Sequence, residues 1–320
     1  MPIIHYLNVG DGDCSIIQHG SGRVTVIDVS KARRSTEAQK LSEAIAKANY
    51  NQKVYPDNPI EYMRDRGINS VFRFILTHPD MDHMDGLADL FAEFSPPNFW
   101  DTKNNCDKSS DDWDYSPYRK EDWDFYESLR SGSSSITRLC YHSGQQPLDF
   151  WHDDGLSVLA PTTQLVADAN DKQDWNDSSY VLLYQGPNGR KAVFPGDSHD
   201  ASWEHILATH ASSIGKIDLL VAPHHGRHSD RDFGFLDVLQ PKLTLFGNAS
   251  SEHLAYDAWS SRSLPIITNN QGGSLVIDFE NEHGLVYCTN EKFARDRIGD
   301  KTFYEPAHKA WFCDALGKNA

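Results

Sequence analysis

One stretch constrains this chain more than any other: positions 77–86, with the sequence THPDMDHMDG. It follows the apolar run 71–76, which predicts a buried strand, and the apolar spacing of 87–94 predicts a helix that begins near Asp82. Two imidazoles and two carboxylates therefore lie in one strand-to-helix turn, where they would repel or desolvate one another without a cation between them. The alternative is an acidic helix cap beside two surface histidines, and we favour the metal site.

Two later segments repeat the pattern of a buried strand followed at once by ligand-type side chains. The predicted strand 191–194 runs into Asp197, and the predicted strand 217–222 runs into His224 and His225. Polar side chains that follow several strands of a sheet converge at one edge. Imidazole and carboxylate ligands suit Zn²⁺ or Mn²⁺, and a set without thiolates favours Mn²⁺. Taken alone, Asp197 would be interpreted as a turn residue.

The first thirty residues predict three strands with carboxylates at two of their ends. Asp13 closes a glycine-rich turn and Asp28 ends the third strand. We expect both to orient metal ligands without binding the metal, although Asp28 could equally close a turn or cap a helix. Lys31, Arg33 and Arg34 follow directly. They would grip a phosphate if this loop faces the metals, and are otherwise a solvated charge run.

Composition limits the partners and the compartment. The 46 acidic and 30 basic side chains give a formal charge of −16, which argues against a broad basic face for nucleic acid. Phosphate-bearing substrates are still allowed, because bound cations reverse the local field. Five cysteines without paired spacing predict reduced thiols in the cytoplasm. No apolar run is long enough to span a membrane and no secretory signal is apparent, so we expect no membrane partner.

The chain predicts one domain over residues 1–290, with a surface insertion at about 99–135 and a tail at 291–320 to which we assign no role. The insertion interleaves acidic with aromatic side chains. We favour a loop packed on the body of the protein. The alternative is a lid or a surface for a protein partner, because aromatic residues concentrate at such places.

Taken together, these motifs resemble those of metallo-β-lactamase-fold hydrolases, whose signature is H-x-[HD]-x-D-H followed by a distant Asp and His. Within that superfamily the chain is most similar to the hydrolase domain of ComEC-type competence proteins and their free-standing relatives. The matching segments run in the family's order and lie at 8–13, 26–28, 76–86, 176–182, 194–197 and 221–226. His253, Thr268 and Gly273 are weaker matches.

The resemblance implies an α/β fold, a four-layer αββα sandwich with two metal ions at one rim. The ligands it implies are His78 and Asp80 for one cation, Asp82, His83 and His224 for the second, and Asp197 as the bridge. The choice of His224 over His225 rests only on its coming first after the strand. Many family members carry a further histidine that has no clear counterpart here, so we expect unequal occupancy of the two sites.

The leading functional prediction is a metal-dependent phosphodiesterase or nuclease, in which a hydroxide formed from water between the cations attacks the substrate. Asp82 would serve catalysis as a ligand, while His225 or His253 contacts the substrate or protonates the leaving oxygen. One alternative is hydrolysis of carboxylic esters, thioesters or lactams, which the Asp80 variant of the signature disfavours. Another is a non-catalytic sensing or partner-binding module, which the intact ligand set disfavours.

Overall fold

The computed structural model describes residues 2–33, 50–145, 149–229, 231–249 and 253–317. Arg34 and a helix predicted from the sequence at about 35–47 lie outside these ranges. Among the described residues, no helix has the length and apolar character needed to cross a membrane.

Two β-sheets form the centre of the molecule. The chain first builds strands of one sheet: β1 (Ile3–Tyr6), β2 (Ser15–Gln18), β3 (Val24–Ile27), β4 (Arg73–Ile75), β5 (Asn98–Trp100) and β6 (Thr137–Leu139). It then builds the second: β7 (Leu156–Ala160), β8 (Val181–Gln185), β9 (Lys191–Phe194), β10 (Leu219–Val221), β11 (Leu243–Phe246) and β12 (Ile266–Thr268). Finally it returns to the first with β13 (Leu275–Asp278), β14 (Leu285–Cys288), β15 (Tyr304–Glu305) and β16 (Ala310–Ala315).

Helices cover the outer faces of both sheets. Their bounds are α1 (Pro59–Asp65), α2 (Leu87–Phe94), α3 (Lys120–Arg130), α4 (Asp149–Asp153), α5 (Thr163–Lys172), α6 (Asp200–Ile214), α7 (Phe235–Leu239), α8 (Tyr256–Ser260), α9 (Asn269–Gly272) and α10 (Glu291–Ile298). One apolar core lies between the sheets and includes Ile4 and Leu182. A second joins α1–α3 to the first sheet, and a third joins α6–α8 to the second. The αββα sandwich expected from the sequence is confirmed.

The topology directs several strand ends to one rim. β3 to β6 are parallel neighbours in the first sheet, and β9 to β12 are parallel neighbours in the second. The carboxyl ends of parallel strands lie at the same edge, so the segments that follow β3, β4, β9 and β10 are neighbours. These are the segments that carry the motifs.

The turn after β4 differs from the prediction that a helix begins near Asp82. Met81–His83 form a single 3₁₀ turn, and α2 begins only at Leu87. Gly86 between them has φ 93°, a left-handed conformation that an α-helix cannot contain. The break leaves the side chains of the 3₁₀ turn free to face the rim.

The two segments that the sequence set apart belong to the same body. Residues 291–317 supply α10 and two strands, and β16 pairs antiparallel with β14 at one side of the first sheet. The insertion expected at about 99–135 starts within the sheet strand β5 and contains α3. Trp123, Tyr126 and Leu129 of α3 recur at helical spacing and are buried. Residues from about 101 to 119 form a loop that contains one 3₁₀ turn, Trp113–Tyr115.

Candidate metal centre

Ligand-type side chains from several loops meet at the rim. The side chains form three overlapping groups, and within each group the ligand atoms lie no more than 4.8 Å apart. The groups are His78 with His83 and Asp197, Asp82 with His83 and His225, and Asp13 with Asp197 and His225. The loop after β4, the loop after β9 and the turn after β10 therefore converge as the sequence predicts. The separation in sequence exceeds a hundred residues, so only the fold brings them together.

Asp197 lies at the middle of this cluster. Its Oδ1 is 3.4 Å from Nε2 of His83, and its Oδ2 is 3.9 Å from Nε2 of His78 and 3.7 Å from Nε2 of His225. The residue is only 3% exposed. The carboxylate thus lies beside His78 on one side of the cluster and beside His83 and His225 on the other, which is the position required of a bridging ligand.

Nδ1 of His225 makes no hydrogen bond within the described chain, and neither do three buried atoms that face one another in the cluster: Nε2 of His78, Nε2 of His83 and Oδ1 of Asp197. A buried polar atom without a partner is costly, typically by about 1–3 kcal/mol. These atoms face one another and carry lone pairs, which is the donor set that Zn²⁺ and Mn²⁺ accept. The residues present therefore fit a divalent cation.

Asp28, which the sequence predicts to orient a metal ligand, contacts a histidine of the cluster. Oδ2 of Asp28 is 2.8 Å from Nδ1 of His83, so the ring donates from Nδ1 and keeps a lone pair on Nε2. The hydroxyl of Thr77 donates to the same carboxylate at 2.7 Å and accepts from Nδ1 of His78 at 3.1 Å. Both rings are thus held in the tautomer that can bind a metal through Nε2.

Asp13 lies on the Nδ1 side of His225, as Asp28 does for His83. Its Oδ1 lies 3.2 Å from Nδ1 of His225, whose Nε2 faces Asp82 at 3.5 Å. Tyr6 fixes the carboxylate by donating its hydroxyl hydrogen at 2.8 Å. A carboxylate behind a ligating imidazole is the common arrangement at metal sites.

His224 was predicted to be the ligand beside Asp82 and His83, and the structure brings His225 there instead. The Arg231 guanidinium, which can only donate, lies 3.1 Å from Nδ1 of His224. The neutral ring then carries its proton on Nε2, which lies 3.5 Å from Oδ2 of Asp197. Burial lowers the pKa of His224 to about 4, so the ring is neutral at physiological pH. In this tautomer His224 presents an N–H group toward Asp197 and has no lone pair on Nε2 for a metal.

The cluster has a strongly negative field. Burial alone would raise the pKa of Asp197, but the imidazoles of His225 and His83 outweigh it and hold that pKa well below its usual range. Burial alone would lower the pKa of His225, but Asp197 and Asp13 raise it well above the usual value. The same field attracts a metal cation, which competes with protons for these sites.

Left-handed backbone conformations concentrate at this site. Asp28, His224 and His225 have φ values of 57°, 52° and 58°. Such conformations are costly for residues with a side chain and persist where the surrounding structure requires them. Here they turn the ends of β3 and β10 so that Asp28 and His225 face the cluster.

The remaining predicted residues lie around the cluster. Asp80 is nearly half exposed at its mouth, with Oδ2 3.4 Å from Nε2 of His78. Arg33, expected to bind substrate, instead pairs with Asp85 at 2.7 Å, and the Lys31 ammonium lies against Gly10. His253 is exposed. Its backbone carbonyl accepts a hydrogen bond from the backbone amide of His228, shortly after the turn that contains His224 and His225.

Sequence reasoning missed three residues near the centre. Lys108 of the insertion has Nζ 4.0 Å from Oδ1 of Asp80, and Tyr118 shares a cavity with Asp82. Arg231, which sets the tautomer of His224, is almost fully buried and also donates to the carbonyl of Ser198. No motif marks them, although a lone lysine or arginine near a histidine motif is a candidate anion or imidazole partner.

No family model matches the chain. It is similar to ComE operon protein 3 of Bacillus subtilis (strain 168), at 21% identity over 289 residues that cover 88% of this chain and 33% of that protein. The chain thus spans about a third of the length of this curated relative. The similarity extends over most of the chain, and the motif loops converge at one rim of a two-sheet sandwich. The chain has the metallo-β-lactamase fold.

Solved structures that are similar to this chain include the following three proteins. One is Igni18 of Ignicoccus hospitalis, a metallo hydrolase, with 12% identity, a TM-score of 0.48, and 87% of this chain and 100% of that chain covered. Another is an isothiocyanate hydrolase from Delia radicum gut bacteria, with 13% identity, a TM-score of 0.44, and 86% and 98% covered. A diphosphatase of the PhnP family has 13% identity, a TM-score of 0.41, and 86% and 97% covered.

Proposed function

We propose that this chain hydrolyses phosphodiesters with the help of two divalent metal ions, Zn²⁺ or Mn²⁺. The observation that carries the proposal is the convergence of three Nε2 lone pairs on Asp197, whose Oδ1 makes no hydrogen bond in the described chain. The preference for a phosphodiester rests on the motif set and on Lys108, a cation placed at the mouth of the cluster. Ammonium groups bind phosphate oxygens.

The proposed ligands form two unequal sets. His78 and Asp80 would hold one cation, Asp82, His83 and His225 the other, and Asp197 would contact both. Asp80 is more exposed than the other ligands, and its set has fewer members, so we expect that site to be the more weakly occupied. Bound divalent ions acidify water and neutralise charge that develops on phosphoryl oxygens.

The surrounding residues would position the substrate and move protons. Lys108 would hold a non-bridging phosphate oxygen beside Asp80. His224, with its proton on Nε2 toward Asp197, would donate a hydrogen bond to a phosphoryl or leaving oxygen. Asp28 and Asp13 would keep the ligand rings in one tautomer throughout.

A substrate-class panel on protein reconstituted with Mn²⁺ or Zn²⁺ tests the proposal. We expect hydrolysis of bis(p-nitrophenyl) phosphate, and its loss in the variant Asp82→Asn. Thioester, carboxylic ester and lactam substrates are run in parallel. A preference for one of these would assign the chain to another branch of the superfamily. Metal binding without hydrolysis of any substrate would favour a sensing or partner-binding module.

A further inference from the structure

A cavity of about 480 Å³ lies between the loop after β4 (residues 76–86, called the metal loop below) and the insertion at about 99–135. Its walls include Asp80 and Asp82 on the metal side. On the other side they come from the insertion: Lys108, Asp111, Asp112, Trp113, Ser116 and Tyr118. A substrate with its reacting group at the metal centre would extend into this cavity. The insertion, for which the sequence favours a packed loop, is therefore a wall of the candidate active site.

The insertion is fixed in place on both sides of the cavity. Arg33 donates to the carbonyl of Pro117 at 2.7 Å while it pairs with Asp85 of the metal loop. Arg130 of α3 donates to the carbonyls of Cys106 and Asn104 at 2.7 and 2.9 Å. The wall is thus preorganised, which lowers the entropic cost of binding.

The end of the cavity nearest the metal loop offers donors for a phosphate. Lys108 supplies an ammonium 4.0 Å from Asp80, and its side chain is 21% exposed. Burial and then the charge of Asp82 raise the pKa of Tyr118 to about 12, so its hydroxyl stays protonated. A phosphoryl group between these residues and the metal centre would accept hydrogen bonds from both.

The part of the cavity wall formed by residues 111–113 has a different chemistry. Trp113 is half-buried against the core of the first sheet and also lines the cavity, and an aromatic side chain there can stack with a planar base. Asp111 and Asp112 are exposed carboxylates on the same wall. They would accept hydrogen bonds from the N–H groups of a base, but they would repel the next phosphate of a nucleic-acid strand.

We propose that this cavity selects small phosphodiesters with one nucleobase-like arm, which stacks on Trp113 while Lys108 holds the phosphate, and that it rejects a continuing nucleic-acid strand. The inference rests on the proposed phosphodiester hydrolysis. It narrows the substrate from nucleic acid or nucleotide to the nucleotide class. The chain's overall charge of −16 acts in the same direction, since it opposes the approach of a polyanion.

The test compares an adenine dinucleoside monophosphate with a single-stranded oligoadenylate on the metal-loaded protein. We expect a higher kcat/KM for the dinucleoside monophosphate. Trp113→Ala should raise its KM about tenfold with kcat little changed, as the loss of one base-stacking contact requires. Tyr115→Ala is the matched control, because Tyr115 is two residues away, 90% exposed and outside the cavity wall. The double variant Asp111→Asn, Asp112→Asn should reduce the difference in kcat/KM between the dinucleoside monophosphate and the oligoadenylate.

A binding measurement separates this inference from the proposed function. Calorimetry with adenosine monophosphate on metal-loaded protein should give weaker binding for Trp113→Ala and Lys108→Ala than for wild type and Tyr115→Ala. Metal content and circular dichroism verify that the variants are folded and loaded.

If bis(p-nitrophenyl) phosphate is cleaved but neither variant changes nucleotide KM or binding, the cavity proposal is wrong and the phosphodiesterase stands. If nothing is cleaved but the binding differences appear, the phosphodiesterase proposal fails and the nucleotide site remains. A preference for the oligonucleotide would overturn the cavity proposal alone.

Discussion

The carboxylate of Asp28 lies 2.8 Å from Nδ1 of His83, and it also accepts hydrogen bonds from the backbone amide and the hydroxyl of Thr77. One side chain therefore fixes the tautomer of His83 directly and that of His78 through Thr77. We therefore expect metal binding by the loop after β4 to depend on this single carboxylate.

Replacement of Asp28 by Asn should weaken metal binding. Asn tolerates the left-handed conformation at this position, so the backbone is preserved. Its amide group offers one acceptor where the carboxylate offers two, so it cannot satisfy both Thr77 and His83. We expect metal affinity to fall roughly 10–100-fold, measured by competition with a chromophoric chelator. Asp218→Asn, which weakens a largely buried ion pair with Arg190 away from the cluster, is the control. Equal losses in both variants would contradict a specific role for Asp28.

The neighbouring histidines should differ when each is replaced by Ala. His225→Ala removes an Nε2 lone pair from the cluster, so we expect about one equivalent of metal to be lost. His224→Ala removes a hydrogen-bond donor and should keep the metal while it lowers kcat. Metal content after gel filtration, with kinetics on bis(p-nitrophenyl) phosphate, separates the two. Loss of metal from His224→Ala alone would restore the ligand assignment made from the sequence.

Replacement of Gly12 by Ala should destabilise the protein and disturb the metal loop. Gly12 has φ 94°, and an added Cβ would lie 2.0 Å from the backbone oxygen of Asp82. Gly189 is the matched control, with φ 83° and open space where its Cβ would lie. We expect Gly189→Ala to cost about 1–2 kcal/mol from backbone strain alone. Denaturant unfolding should show a larger loss for Gly12→Ala, accompanied by weaker metal binding. Equal losses in the free energy of unfolding would mean that the backbone at Asp82 moves away from the added Cβ at no cost.

The buried His5 should make the protein less stable in acid. Burial lowers the pKa of His5 from 6.5 to about 3. Between these values the unfolded chain binds a proton that the folded protein does not, so the free energy of unfolding falls as the pH drops below 6.5. The contribution is about 1.4 kcal/mol per pH unit.

Denaturant titrations in EDTA, at pH values from about 7 down to about 4.5, measure this effect. His5→Gln should flatten the dependence by roughly one proton's slope. His283→Gln, which changes an exposed histidine, should leave the slope unchanged. Parallel curves for wild type and His5→Gln would show that the ring is already protonated in the folded protein.

The sequence predicts the fold because local signals and global arrangement agree. Strands such as β3 consist of β-branched residues and are followed by a carboxylate, and the helical spacing of α2 appears directly in the chain. The order of such elements is enough to place the motifs at one rim. The sequence did not reveal that 291–317 would complete the first sheet, because strand pairing between β16 and β14 is a long-range contact without a local signature.

The site was only partly predictable for the same reason. His224 and His225 are adjacent and chemically identical, and the contacts that distinguish them come from Arg231 and Asp13, which lie outside the sequence of the turn itself. Arg33 has the charge of a phosphate ligand but is bound by Asp85. Such pairings depend on the tertiary structure, which a charge pattern alone does not specify.

Diffraction from crystals soaked in Mn²⁺, with anomalous data, tests the central claim most directly. We predict two anomalous peaks, both within ligand distance of Asp197, with His225 bound to the ion beside Asp82 and His83 and with the weaker peak beside His78 and Asp80. A single ion away from Asp197, or ions held by His224 while His225 contacts none, would contradict the account.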